Sequence, residues 1–155
     1  MWRNPLFHGG IEIIDRTPYF WTGDSPDDID EWLAEYTEKS DLKIKQVRCH
    51  HCGSEEFKVR VDQDEGAIQV TCASCGKKKI LLDGEDYWED CSPRAKKCPV
   101  CKKGLFNVRV GFDYRENGDV KWVYIGNRCT ACGTLGSFVD WPVDYGPTNE
   151  MENNI

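Results

Sequence analysis

Four Cys-x-x-Cys pairs set the terms for this chain: Cys49-His50-His51-Cys52, Cys72-Ala73-Ser74-Cys75, Cys98-Pro99-Val100-Cys101 and Cys129-Thr130-Ala131-Cys132. Thiolates are soft ligands, and two such pairs complete the tetrahedral four-sulfur set of a structural metal site. The sequence therefore predicts two sites, Cys49/Cys52/Cys72/Cys75 and Cys98/Cys101/Cys129/Cys132, each binding one Zn2+. Four protein ligands leave no position for a catalytic water, so both metals read as structural. Iron is the alternative metal for the same ligands. Nine cysteines in 155 residues also fit a secreted disulfide scaffold. Eight of the nine in x2 pairs, with one left over, favour metal in a reducing cytoplasm. With four cysteines at hand, His50 and His51 are surplus as ligands. Cys91 is the odd thiol, and its neighbours Glu89 and Asp90 raise its pKa and leave it idle.

The stretches between the pairs repeat. Phe57-Lys58-Val59-Arg60-Val61 begins five residues after Cys52, and Phe106-Asn107-Val108-Arg109-Val110 begins five residues after Cys101. Both alternate as strands, and both return strands end in Cys-x-x-Cys-Gly. This is an internal duplication, which pairs the knuckles sequentially and not as an interleaved brace. The gaps between knuckles are 19 and 27 residues, and the extra eight lengthen each arm of the second hairpin by an even number. An even extension preserves which face points inward. Lys78 to Leu82 and Leu135 to Trp141 read as the third strand of each unit. Asn117-Gly118 is a type I′ turn signal, which sets Arg115 opposite Val120, Asp113 opposite Trp122, Gly111 opposite Tyr124 and Asn107 opposite Arg128.

The predicted fold is thus small, mainly β and metal-stabilised: two tandem three-stranded antiparallel units behind an N-terminal cap. Residues 1–45 form that cap. Its first part (1–23) is rich in aromatic and Ile residues broken by Gly and Pro, and reads as an extended segment. A helix follows over about 25–39, with Ser25 as N-cap, Pro26 at the first position, and Ile29, Trp32, Leu33 and Tyr36 on one face. The first unit spans 46–91, the second 92–141, and residues 142–155 read as a flexible tail.

Charge is uneven. The net −7 divides into 10 acids and 6 bases over 1–48, 10 and 5 over 49–91, 3 and 9 over 92–133, and 4 and 0 thereafter. An acidic body with one basic module is a poor profile for nonspecific DNA binding. Two surfaces stand out. The helix carries Asp30, Glu31, Glu35 and Glu38 opposite its apolar face. The second hairpin gathers Arg109, Arg115, Arg128, Trp122 and Tyr124 opposite its core face of Phe106, Val108, Val110, Phe112, Val123 and Ile125. Arginine among flat aromatics suits base stacking and protein hot spots alike.

Each cysteine unit resembles the zinc-ribbon superfamily of transcription factors, ribosomal proteins and adaptors. The first unit is most similar to the transcription elongation factor one type, in Cys49-x-x-Cys52, the strand end Val59 to Asp62, Gly66, Cys72-x-x-Cys75 and Asp86-Tyr87-Trp88-Glu89-Asp90-Cys91. The whole chain, from Asn4-Pro5-Leu6-Phe7 to Gly136 and Asp140-Trp141, resembles a group of bacterial proteins without assigned activity. These resemblances imply two zinc ribbons in a bacterial cytoplasmic protein. The residues show no Ser/His/Asp set and no Gly-rich phosphate loop. The expectation is a non-enzymatic adaptor, inhibitor or immunity-type module with a basic protein partner, and no membrane or small-molecule substrate. The alternative is a nucleic-acid-binding, transcription- or translation-associated protein using the basic aromatic face of the second unit.

Overall fold

The computed structural model describes residues 20–148 and 151–155; most of the expected extended segment, residues 1–19, lies outside them. Helix α1 spans Asp28–Thr37. The strands are β1 Lys43–Gln46, β2 Phe57–Asp62, β3 Ala67–Cys72, β4 Lys78–Ile80, β5 Arg94–Ala95, β6 Phe106–Tyr114, β7 Val120–Cys129 and β8 Leu135–Pro142. Both expected hairpins form, each with its third strand. The chain is mainly antiparallel β with one α-helix, as expected of a small metal-stabilised protein.

The two units are not beads on a linker. Their strands make one sheet in the order β4-β3-β2-β6-β7-β8, joined where Phe57 pairs with Phe106. These are the equivalent residues of the two copies, so the joint lies on a local twofold relation. The lead-in strands obey the same relation. β1 enters the first unit but pairs with β6 of the second, Gln46 opposite Arg109 and Lys45 opposite Val110. β5 enters the second unit but pairs with β2 of the first, Ala95 opposite Arg60 and Arg94 opposite Val61. Val47 N–H donates to Val108 O at 3.0 Å, and Lys96 N–H to Val59 O at 2.9 Å. Each copy thus covers the open edge of the other's first strand, which removes two unpaired edges.

The inward residues follow the alternation. Phe57, Val59, Val61, Ile68, Val70, Phe106, Val108, Val110, Phe112, Val123 and Ile125 are all at most 2% exposed and share one core. The long hairpin holds the expected register from Asn107/Arg128 through Asp113/Trp122 and then shifts. A bulge after Asp113 puts Tyr114 opposite Val120, and Arg115 N–H donates to Asp119 O, so Arg115 does not face Val120. The reason is the turn. Gly118 N–H closes on Arg115 O, and Gly118, not Asn117, takes the left-handed conformation (φ 92°). Two positive φ values, which type I′ needs, are not available at Asn117-Gly118, and a three-residue loop with a glycine bulge forms instead.

The helix starts later than 25. Ser25 Oγ accepts from Asp27 N–H, and the buried Asp28 carboxylate accepts from Ser25 N–H at 3.1 Å, so Ser25 shapes the approach to the helix. Ile29 and Leu33 are fully buried against β6, β7 and β8, with Leu135 completing a second apolar cluster. The landing site is Gly126: a Cβ there would lie 2.6 Å from Ile29 Cγ2 and 2.9 Å from Leu33 Cδ1. Before the helix, Gly23 N–H donates to Gly133 O and Leu135 N–H to Trp21 O, which extends the sheet edge.

The end of the chain, expected to be a flexible tail, folds back. Met151 is 4% exposed in the main core, and Leu82 N–H donates to Asn154 O at 2.6 Å. Glu152 accepts from Lys43, Lys45 and the Tyr114 hydroxyl, and these cations and the phenol hold its carboxyl at about 2. Val143, Met151 and Ile155, widely spaced in a polar run, make too weak a pattern to signal docking.

Gly126→Val should lower the stability of the metal-loaded protein by about 1–3 kcal/mol through overpacking under α1, read as a shift in the urea midpoint. An unchanged midpoint would mean that the helix does not bear on Gly126 in solution.

Candidate metal centres and the surface around them

Each centre is built at the base of a hairpin. The strand registers place Phe57 opposite Cys72 and Phe106 opposite Cys129, so the return strand delivers its cysteine beside the first knuckle. The knuckles repeat bond for bond. Cys49 N–H donates to Ser54 O and Gly53 N–H to Cys49 O; Cys98 N–H donates to Lys103 O and Lys102 N–H to Cys98 O. Lys102 takes the left-handed conformation (φ 67°) that Gly53 takes in the first copy (φ 80°). In every pair the first cysteine is buried and the second lies nearer solvent.

The sulfurs of Cys49, Cys52, Cys72 and Cys75 lie within 4.8 Å of one another, as do those of Cys98, Cys101, Cys129 and Cys132. Across each centre the closest approaches are Cys49–Cys75 at 3.6 Å, Cys52–Cys72 at 3.5 Å, Cys98–Cys132 at 3.6 Å and Cys101–Cys129 at 3.5 Å. These are far longer than the ~2.05 Å of a disulfide. A tetrahedron with metal–sulfur bonds of about 2.3 Å has edges of about 3.8 Å, so both clusters are of the size that one ion needs. Two four-cysteine groups that could hold two metal ions are therefore present, on the residues expected.

Backbone N–H groups face the sulfurs. Cys75 N–H on Cys72 Sγ, at 3.5 Å, pulls that thiol down to about 6. Burial pushes Cys98 up, but the N–H groups of Cys101 and Val100, the latter at 3.4 Å, outweigh it and bring the thiol to about 6. Burial and the neighbouring Cys101 push Cys129 up to about 12. Metal binding must displace protons from such thiols, so affinity falls as pH falls.

The other candidates separate cleanly. His50 turns from the sulfurs, its Nε2 2.7 Å from Ile155 O. Cys91 donates to Tyr87 O, and burial followed by Asp62, Glu65 and Asp90 raises its pKa. The aromatic face of the second hairpin is largely used inside the molecule, beneath α1. Arg109 donates to Asp30 at 3.0 and 3.1 Å and to Asp27 at 2.8 Å, its side chain 11% exposed. Arg128 donates to Gly23 O and Asn107 Oδ1, and Arg115 to Val143 O. Trp122 Nε1 donates to Asp140 Oδ1, and Tyr124 packs against the cluster of Ile29, Leu33 and Leu135. Asp30 of the helix and Arg109 of the hairpin, read from sequence as members of two surfaces, thus meet each other. Asp27 is not among the expected site residues; its place ahead of the first helical turn gives no hint of a partner 82 residues away. Glu31 and Glu35 of α1 lie exposed, as does Glu38 at its C-cap.

Comparison with protein-family models, with curated proteins and with solved structures yields no match. The zinc-ribbon resemblance accordingly rests on the knuckle and strand motifs themselves. Among the described residues no helix is long and apolar enough to cross a membrane.

The purified protein should carry two metal equivalents per chain by elemental analysis. Cys72→Ser and Cys129→Ser should each leave one, and a strong chelator should remove both with loss of the β circular-dichroism signal. Retention of two equivalents by Cys72→Ser would refute the ligand assignment.

Proposed function

We propose that both four-cysteine centres hold Zn2+ as structural metal and that the protein is a non-enzymatic cytoplasmic interaction module whose partner is a basic protein. Zinc suits a closed tetrahedral thiolate set, with every position taken by protein and none left for water. Its chemistry here is to fix the hairpin bases; the thiolates of Cys49, Cys52, Cys72 and Cys75, and of Cys98, Cys101, Cys129 and Cys132, would hold it. A colourless protein containing two zinc ions supports this, whereas visible thiolate-to-metal absorption and bound iron would overturn it.

The observation that carries the partner reading is the acidic connector between the two units. Glu85, Asp86, Glu89 and Asp90 are carried on two successive 3-10 turns, Gly84–Asp86 and Trp88–Asp90. Tyr87 ties these turns to the first hairpin through its hydroxyl bond to Gly66 O at 2.8 Å. A rigid run of carboxylates meets a basic surface at lower entropic cost than a mobile one. Glu31 and Glu35 of α1, with Glu38 at its C-cap, are further exposed acids. The nucleic-acid alternative relied on Arg109, Arg115, Arg128, Trp122 and Tyr124, and the hydrogen bonds of those arginines go to the protein itself.

Capture from native cells should enrich a basic partner in a salt-sensitive manner, and replacing Glu85, Asp86, Glu89 and Asp90 together by Lys should abolish that enrichment. Titration with single-stranded RNA and DNA at low salt should show no saturable binding. Undiminished capture by the charge-reversed variant, or tight nucleic-acid binding, would sink the proposal.

A further inference from the structure

The seam between the units holds a cavity. Where the first hairpin's tip meets β8, a cavity of about 280 Å³ is lined by Glu65, Asp83, Tyr87, Trp141, Asp144 and Tyr145, among others. Its lining includes no basic side chain. The packing that forms it is close: Gly66 takes a left-handed conformation (φ 71°), and a Cβ there would lie 2.8 Å from Trp141 Cγ and Cδ2. The tip is also tied across the seam by Gln63 Nε2, which donates to Phe138 O at 3.0 Å.

The two tyrosines are fixed by one carboxylate. Tyr87 OH shares its one proton between Gly66 O at 2.8 Å and Asp83 Oδ1 at 3.2 Å, and Tyr145 OH donates to Asp83 Oδ2. Both phenols are therefore held neutral, by burial first and then by Asp83, and their rings are anchored at the hydroxyl end. Tyr145 is half-exposed, so the cavity reaches solvent on that side.

Three aromatic rings among three carboxylates select for charge. An organic cation gains from ring faces and from acids together, an anion is repelled, and an apolar side chain has no use for the carboxylates. A hard metal ion wants six or more oxygens, and both oxygens of Asp83 already accept phenol protons. The volume suits one side-chain head, being below the ~300 Å³ at which small-molecule pockets begin.

We propose that this cavity is the socket for a single cationic side chain, a lysine ammonium or arginine guanidinium presented by the basic partner. The socket adjoins the acidic connector through Asp83 and Tyr87, so one basic segment can meet both. The inference rests on the partner reading above and supplies its ligand chemistry.

The test uses the full metal-loaded chain and amino-acid derivatives, so it does not depend on finding the partner. N-acetyl-lysine methylamide or N-acetyl-arginine methylamide should shift the Trp141 indole N–H signal saturably in NMR titration. The neutral norleucine derivative should bind about fivefold more weakly or worse. Tyr145→Ala should weaken the cationic probes by about fivefold, with metal content and the remaining spectrum unchanged. Tyr145→Phe, which keeps the ring and cuts only the bond to Asp83, should lose less and serves if the alanine variant is disturbed. Equal shifts by norleucine, stronger shifts by adenosine monophosphate, or full binding by both Tyr145 variants would overturn the socket. Such a result would leave the connector's capture experiment standing, while failed capture with intact probe binding would overturn only the partner reading.

Discussion

Four sulfurs at the base of each hairpin are the constraint from which the rest of the molecule is built. The two chain segments that leave a knuckle must start side by side, and the pairings of Phe57 with Cys72 and Phe106 with Cys129 are set there. From that register the alternation sends one set of side chains to the core and the other outward. A hairpin alone is marginal in water, and a closed metal site at its base supplies what a small core lacks. The acidic tip of the first hairpin, the bulge of the second and the position of Gly126 all lie at distances counted from the sulfurs.

Duplication explains the next level. Two copies of one hairpin, each with an exposed edge, can satisfy both edges at once by lending each other their lead-in strands. The Phe57–Phe106 contact is the point about which this exchange is symmetric, and β1 and β5 take equivalent registers on either side of it. The product is one sheet with one continuous core, so the stability of each half depends on the other.

Much of this could be read from residues. The eight ligands, the repeated Phe-x-Val-Arg-Val strand, the core face of the second hairpin and the apolar stripe of the helix all follow from spacing and periodicity. Other features could not, because they are choices between partners of similar local chemistry. Lys43-Ile44-Lys45-Gln46 reads as a short polar strand, and nothing within it tells whether it joins its own unit or the neighbour's. Arg109 and Asp30 are each ordinary surface charges until the helix is laid over Gly126 and brings them to 3.0 Å. Tyr87, Trp141 and Tyr145 lie in an acidic connector and near the chain's end, so their meeting around one cavity is invisible before the seam is built.

The two copies are equivalent in hairpin and knuckle, but the molecule has a single α-helix among its described residues. Arg109 is roofed by that helix; its counterpart Arg60 is exposed, with a 3.5 Å contact to Pro93 O. One helix cannot serve two equivalent faces, so the symmetry is broken in favour of the longer hairpin, whose extra residues give α1 a strand long enough to lie on. Trp141 belongs to the third strand of that second unit, while Glu65 and Gly66 belong to the hairpin tip of the first. The seam cavity is therefore a property of the assembled pair. A duplicated scaffold acquires a unique site where its copies meet unequally, and here the lining of that place gathers carboxylates and aromatic rings.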